Sequence, residues 1–214
     1  MGVIHVEKQA ATARSSRSKS GTTRARLLEA GQRLFARKGS RDVTSHEIAA
    51  EAGYASGTFY LHFKDKHALF GELADEAAAE LEARIDAVFA NKTEPADILH
   101  AHAEVLVGFA EERRDLLRIL FQPDQLDAEA GAAAERILQR LADGLSARRR
   151  ERLAAAETAD CFDTDVLAQA IVGMWSRVLV WWAEDPNRAR REDLVRTLTQ
   201  FHLHGTSGST VLPV

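Results

Sequence analysis

Apolar residues recur along this chain at three- and four-residue intervals, the spacing of helices that bury one face. A first helix is predicted from Thr23 to Lys38, with Leu27, Leu28, Ala30, Gly31, Leu34 and Phe35 as its inner stripe and Gly39 as its stop. Two short helices follow, one from Thr44 with Ile48, Ala49 and Ala52 inward, and one from Ala55 to Phe63 with Phe59 and Phe63 inward. A long helix opens on Asp65 and runs to about Ala90, carrying Leu69, Phe70, Leu73, Ala77, Leu81, Ile85, Val88 and Phe89. Pro95 opens the next, to Glu112, and a short continuation runs from Arg113 to Phe121 before Pro123 breaks the chain. Leu126 to Glu157 carries Ile137, Leu138, Leu141 and Leu145. Asp163 to Ala183 is apolar nearly all round, and Arg190 to His204 carries Leu194, Val195, Leu198 and Phe201. The pattern predicts an all-α fold: an N-terminal three-helix head, then a larger helical body.

The stretch 44–66, TSHEIAAEAGYASGTFYLHFKDK, has the most local detail. Thr44 and Glu47 have the spacing of a capping box, and Val43 and Ile48 that of a hydrophobic staple. Gly53 suits the left-handed residue that ends a helix. Two helices about a short glycine-containing turn make a helix-turn-helix, whose second helix can enter a DNA major groove. The outer face of that second helix carries Ser56, Gly57, Thr58, Tyr60 and His62.

The run T-x-x-E-I-A-x-x-A-G, followed by S-G-T-F-Y-x-H-F-x-x-K-x-x-L, resembles the TetR family of bacterial transcriptional regulators from Leu27 to Leu69. It departs from the family pattern at Ala55, often serine there, and at Ser56, commonly lysine or arginine. The resemblance implies DNA contacts from Thr44, Ser45, His46, Ser56, Gly57, Thr58, Tyr60, His62 and Lys66. It also implies a homodimer on a palindromic operator, and a long fourth helix that links the head to an effector-binding body.

Charge is divided in the same way. Residues 1–67 hold 12 Lys and Arg against 6 Asp and Glu, and the remainder holds 16 against 26, for a net charge of −4. A basic front on an acidic body is expected where one part meets phosphates. The expected organisation is a disordered basic arm over 1–21, the helix-turn-helix domain over 22–67, the effector-binding and dimerisation domain over 68–205, and a frayed tail over 206–214. A single cysteine, Cys161, excludes an internal disulfide framework and suits a reducing cytosol. No apolar leader opens the chain, and Gln169, Ser176 and Arg177 interrupt its most apolar window. A cytoplasmic location is expected, with no membrane partner.

The body offers large apolar groups with a few polar ones, the usual composition of a ligand pocket. His102, Phe109, Arg118, Phe121, Gln169, Met174 and Trp175 are the candidate ligand-binding residues. They suit a largely hydrophobic molecule with one polar or anionic end. The aromatic, nearly all-apolar helix before Asp185 needs cover on two sides. Val178, Trp181 and Trp182, with Leu194, Leu198 and Phe201 of the last helix, are therefore expected at a four-helix dimer interface. The basic cluster Arg148, Arg149, Arg150 and Arg152 reads as a solvated helix end paired with Glu151 and Glu157. His100 and His102 point about 200° apart on a helix, as do His202 and His204, so no metal site is expected. No P-loop, GxSxG or HExxH pattern occurs, and neither a catalytic group nor a cofactor is predicted. The function that follows is a ligand-released repressor. A helical small-molecule binder or enzyme with a vestigial DNA-binding head is the alternative.

Overall fold

The computed structural model describes residues 3–91, 94–121, 126–156 and 162–205, with side chains from Gly21 onward except at Pro95. The expected arm (but for Gly21) and tail, together with Pro123, Glu157 and Cys161, lie outside the side chains described. The described residues form helices and their connecting turns and carry no strand. In order they form α1 (Val3–Lys38), α2 (Ser45–Glu51), α3 (Ser56–Tyr60), α4 (Lys66–Asn91), α5 (Pro95–Glu112), α6 (Arg114–Phe121), α7 (Ala128–Ala155), α8 (Thr164–Glu184) and α9 (Arg191–Gly205). A short 3-10 turn, Pro186–Arg188, joins the last two. The chain divides into two compact units, Met1–Leu73 and Ala74–Val214, and α4 contributes to both.

In the first unit the predicted caps form. Glu47 N donates to Thr44 Oγ1 at 3.2 Å, and Thr44 N donates back to Glu47 Oε2 at 2.9 Å. Val43 and Ile48 are buried beside that reciprocal pair. Gly53 takes φ +79°, a conformation other residues adopt only with strain, and this lets Tyr54 N reach Ala49 O at 2.9 Å and close the turn. Leu27, Leu34, Phe35, Phe59 and Phe70 fill the core, with the rings of Phe35 and Phe70 edge to face at 5.4 Å. Leu69 packs directly over Gly31: a Cβ there would lie 2.5 Å from Leu69 Cδ2, so a larger residue would force that buried side chain to move. Arg33 and Arg37 pair with Glu51, and Lys38 with Glu47 at 2.7 Å, fastening α1 to α2. The Lys38 bond, then those from Thr44, lowers the Glu47 carboxyl to about 2.

In the second unit α8 packs against α5, α6 and α7, and α5 packs along α9. α8 is long and apolar enough by composition to cross a membrane, yet its Ile171, Trp175, Leu179, Val180 and Trp182 are buried within this bundle. Asp163 caps α8 by accepting from Asp165 N and Val166 N, each at 3.0 Å. Asp127 caps α7 in the same way through Ala130 N. Arg84 joins Glu80 of its own helix to Glu112 of α5, both at 2.6 Å. Arg191 of α9 binds Glu104 and Glu111 of α5.

Candidate functional site

The helix-turn-helix brings His46, Ser56 and Tyr60 onto one outer face. Ser56 Oγ lies 3.2 Å from His46 Nδ1, and the rings of His46 and Tyr60 meet edge to face at 6.2 Å. Phe59, fully buried, and Phe63 hold α3 from behind, while Tyr60 remains about half exposed. Thr44 and Gly57 are exposed, and Ser45, Thr58 and His62 are half-buried. A Cβ on Gly57 would touch nothing in the chain, so the helix backbone is bare on that side. α3 is shorter than the predicted 55–63, and its N-cap Ala55 makes no side-chain bond. The departure from serine at this position therefore leaves the start of the helix without a side-chain cap.

Lys66 is placed differently from its expected phosphate-binding role. Its Nζ donates to Ser40 O at 2.6 Å and to Arg41 O at 3.3 Å, within its own unit. Leu61 was missed by the sequence reading. It follows Tyr60 at the end of α3 and is 82% exposed. The signal was available: an apolar side chain outside the Phe59–Phe63 stripe has no core to enter.

The second unit encloses a cavity of about 250 Å³, walled by α4, α5, α6, α7 and α8. Of the residues expected there, His102, Phe109, Phe121 and Trp175 line it. Arg118, Gln169 and Met174 do not, and those three assignments are corrected. Arg118 and Gln169 are exposed, with Gln169 Nε2 bound to Gln139 Oε1 at 2.9 Å, and Met174 is half-buried off the cavity wall. Most of the remaining wall is aliphatic, with Leu81, Ile85, Leu106, Leu141 and Leu179 among its members.

His102 stands between Phe89 and Trp175, with ring centres 6.2 and 6.1 Å away. Burial, then the nearby His202 and Arg148, lowers its pKa to about 4, so the imidazole is neutral at pH 7. Trp175 is buried and its Nε1 hydrogen has no acceptor among the described residues. An indole N–H left without an acceptor in a cavity wall is a place for a ligand oxygen.

The cavity also carries charges that were not expected there from the sequence: Glu82 and Asp86 from α4, Arg140 and Arg148 from α7. Arg148 pairs with Asp86, and Arg150 with Asp165 at 2.5 Å, so the basic end of α7 is tied to α4 and α8 rather than to Glu151. Spacing held the clue, since Glu82 and Asp86 on one helix and Arg140 and Arg148 on another each share a face.

The expected dimer residues separate into two groups. Trp182, Leu194 and Leu198 are core residues of their own chain, which corrects their assignment. Trp182 is 2% exposed and its Nε1 donates to Ala189 O at 2.9 Å. Trp181 and Phe201 face outward, 39% and 63% exposed, with Val178 half-buried.

Comparison with known proteins gives one consistent picture. Residues 27–73 match the family described as bacterial regulatory proteins, tetR family. The HTH-type transcriptional regulator AcrR of Shigella flexneri is 35% identical over 118 residues, which cover 51% of this chain and 53% of AcrR, about half of each. A TetR-family transcriptional regulator of Syntrophomonas wolfei shares the fold with a TM-score of 0.78 at 18% identity, over 90% of this chain and 99% of that one. FadR of Bacillus subtilis, solved in complex with stearoyl-CoA, shares it with a TM-score of 0.66 at 19% identity, over 87% of this chain and 99% of that one.

Proposed function

We propose that this chain, whose residues 27–73 match the tetR family of bacterial regulatory proteins, is a sequence-specific DNA-binding transcriptional regulator, a repressor released from its operator by a hydrophobic small molecule. The carrying observation is the outward face of α2 and α3, where His46, Ser56 and Tyr60 converge over a rigid aromatic core. Such a face contacts few bases. Two heads in a homodimer on a palindrome supply the remaining affinity and fix the half-site spacing. Thr44 and Ser45 at the start of α2, with Thr58 and His62, act on phosphates, whereas Tyr60 and its neighbours meet base edges.

The apolar cavity with its neutral histidine and open indole N–H is the effector site. The stearoyl-CoA held by the Bacillus subtilis FadR supports a ligand with a long apolar part. A ligand that prefers a displaced α4 shifts the population toward a form whose heads do not match successive major grooves. By linkage, operator DNA weakens that ligand by the same factor.

The test is binding of duplexes drawn from around its own gene, followed by anisotropy across a salt series. Specific retention with a steep linear fall of log K against log salt is expected, and Tyr60→Ala alters the preferred duplex. Binding that ignores sequence in wild type and variant alike contradicts the reading.

A further inference from the structure

We propose that the cavity binds an amphipathic anion, whose head takes the place of Asp86 on Arg148 while its tail fills the apolar wall. This rests on the reading of the cavity as the effector site. On α4, Glu82, Asp86 and Phe89 share one face. On α7, Arg140, Gly144, Arg148 and Arg152 follow at four-residue steps. The two helices are not among the closely packed pairs of the bundle. Ion pairs join them instead: Arg140 Nη2 to Glu82 at 2.8 Å, Arg140 Nη1 to Asp75 at 3.3 Å, and Arg148 to Asp86. The Arg148 guanidinium lies close over Gly144, where a Cβ would stand 3.1 Å from its Nη1.

The two ends of this charge row differ. Arg140 is balanced by two carboxylates. At the other end Arg148 and Arg152 both lie over the Phe89 ring, at 5.3 and 5.8 Å from its centre, and Asp86 is the carboxylate between α4 and this pair. Arg152 has no carboxylate partner among the described residues. Desolvation, then Arg149, lowers its pKa. His102 feels Arg148, and His202 feels Arg152 and Arg149, as positive neighbours. Among the described residues positive charge is therefore in surplus at the Phe89 end, which repels a cationic ligand and favours an anionic one.

Exchange at Arg148 is easy on both sides. Asp86 has a side chain 64% exposed and returns to water at little cost. The incoming carboxylate or phosphate gains a charge-assisted hydrogen bond beside an aromatic wall. The released Asp86 frees that stretch of α4 from α7. α4 begins at Lys66, in the first unit, so ligand charge acts on the same helix that follows the DNA-reading face.

The experiment is calorimetric titration of the full chain with decanoate, decanol and decyltrimethylammonium, the two ions kept below their micelle concentrations and decanol below its solubility limit. Wild type is expected to bind decanoate about tenfold or more tightly than decanol, a difference of about 1.4 kcal/mol. Decyltrimethylammonium should bind weakest. Arg148→Gln should abolish the preference for decanoate over decanol, and Asp86→Asn, on an exposed residue, should enlarge it by removing the competitor. The proposal is overturned if decanol or the ammonium binds as tightly as decanoate, if neither variant changes the ratio, or if none of the three binds. These outcomes are read without DNA, so they stand apart from a failure of the regulator reading, which shows as loss of sequence-selective DNA binding.

Discussion

Lys66 at the start of α4 donates its ammonium to the main-chain oxygen of Ser40, 2.6 Å away, in the loop between α1 and α2. The bond ties the segment before the helix-turn-helix to the helix after it. Charge-assisted bonds of this kind contribute about 1.5–3 kcal/mol. Lys66→Ala is therefore expected to lower the stability of the chain by about 1–2 kcal/mol while leaving the slope of log K against log salt unchanged. A lysine held chiefly by DNA phosphate would behave differently, reducing the slope by about 0.9 per head with stability intact. Urea unfolding and salt-dependent anisotropy on the same preparation separate the two.

Leu61 has no place in the core and stands outward beside Tyr60. In a major groove the apolar feature it can meet is the 5-methyl group of thymine. Single replacement of each operator thymine by uracil should weaken wild type at one position by about 0.8 kcal/mol, the transfer value of one carbon. Leu61→Ala should lose that sensitivity. Equal affinity for every uracil duplex would remove Leu61 from the base-reading set.

The head was more legible in the sequence than the body, for a physical reason. Thr44, Glu47 and Gly53 act through local backbone geometry, so their types and spacing define the turn. Phe59 and Phe63 are likewise four apart and both buried. In the body, α8 is apolar nearly all round, so periodicity does not fix which side faces the cavity, and Gln169 and Met174 were placed inward wrongly. Arg118 follows the buried Leu117 by one helical step, which turns it outward. The charges on the cavity wall join residues separated by 58 and 62 positions, a pairing that no local pattern announces.

The outward aromatics of the last two helices carry the dimer prediction. Trp181 and Phe201 remain exposed in one chain, whereas Trp182 is spent on its own core. Phe201→Asp, or Trp181→Asp, should yield monomers by sedimentation and lose operator binding, with the helix content of each chain kept. Trp182→Asp should instead unfold the bundle, because it places a charge at a 2% exposed site. A dimer mass retained by both outward variants would locate the interface elsewhere.

His102 and His202 set the acid response. Both are buried, and burial with their positive neighbours lowers each to about 4 from an ordinary 6.5. The unfolded chain takes up protons below pH 6.5 that the folded chain refuses. Stability is thus full above that pH and falls progressively toward about 4. Each group contributes up to about 1.4 kcal/mol per pH unit within this window. Carboxylates held low, such as Glu47, act in the same direction but only below the ordinary carboxylate range, so pH 6.5 to 5 isolates the histidines. Urea midpoints should drop across that interval in wild type and much less in a His102→Leu, His202→Leu double variant. Parallel pH dependence in the two proteins would show that other groups govern it.

Selection of bound duplexes from a fully random library, at physiological salt and with the full chain, tests the central claim most directly. Enrichment of a palindrome is predicted, with half-sites spaced by about one helical turn or a multiple of it. The enriched duplex should bind at least about a thousandfold tighter than unselected DNA. Recovery of no shared sequence, or of duplexes that bind no better than the starting library, would contradict the assignment of this chain as a sequence-specific regulator.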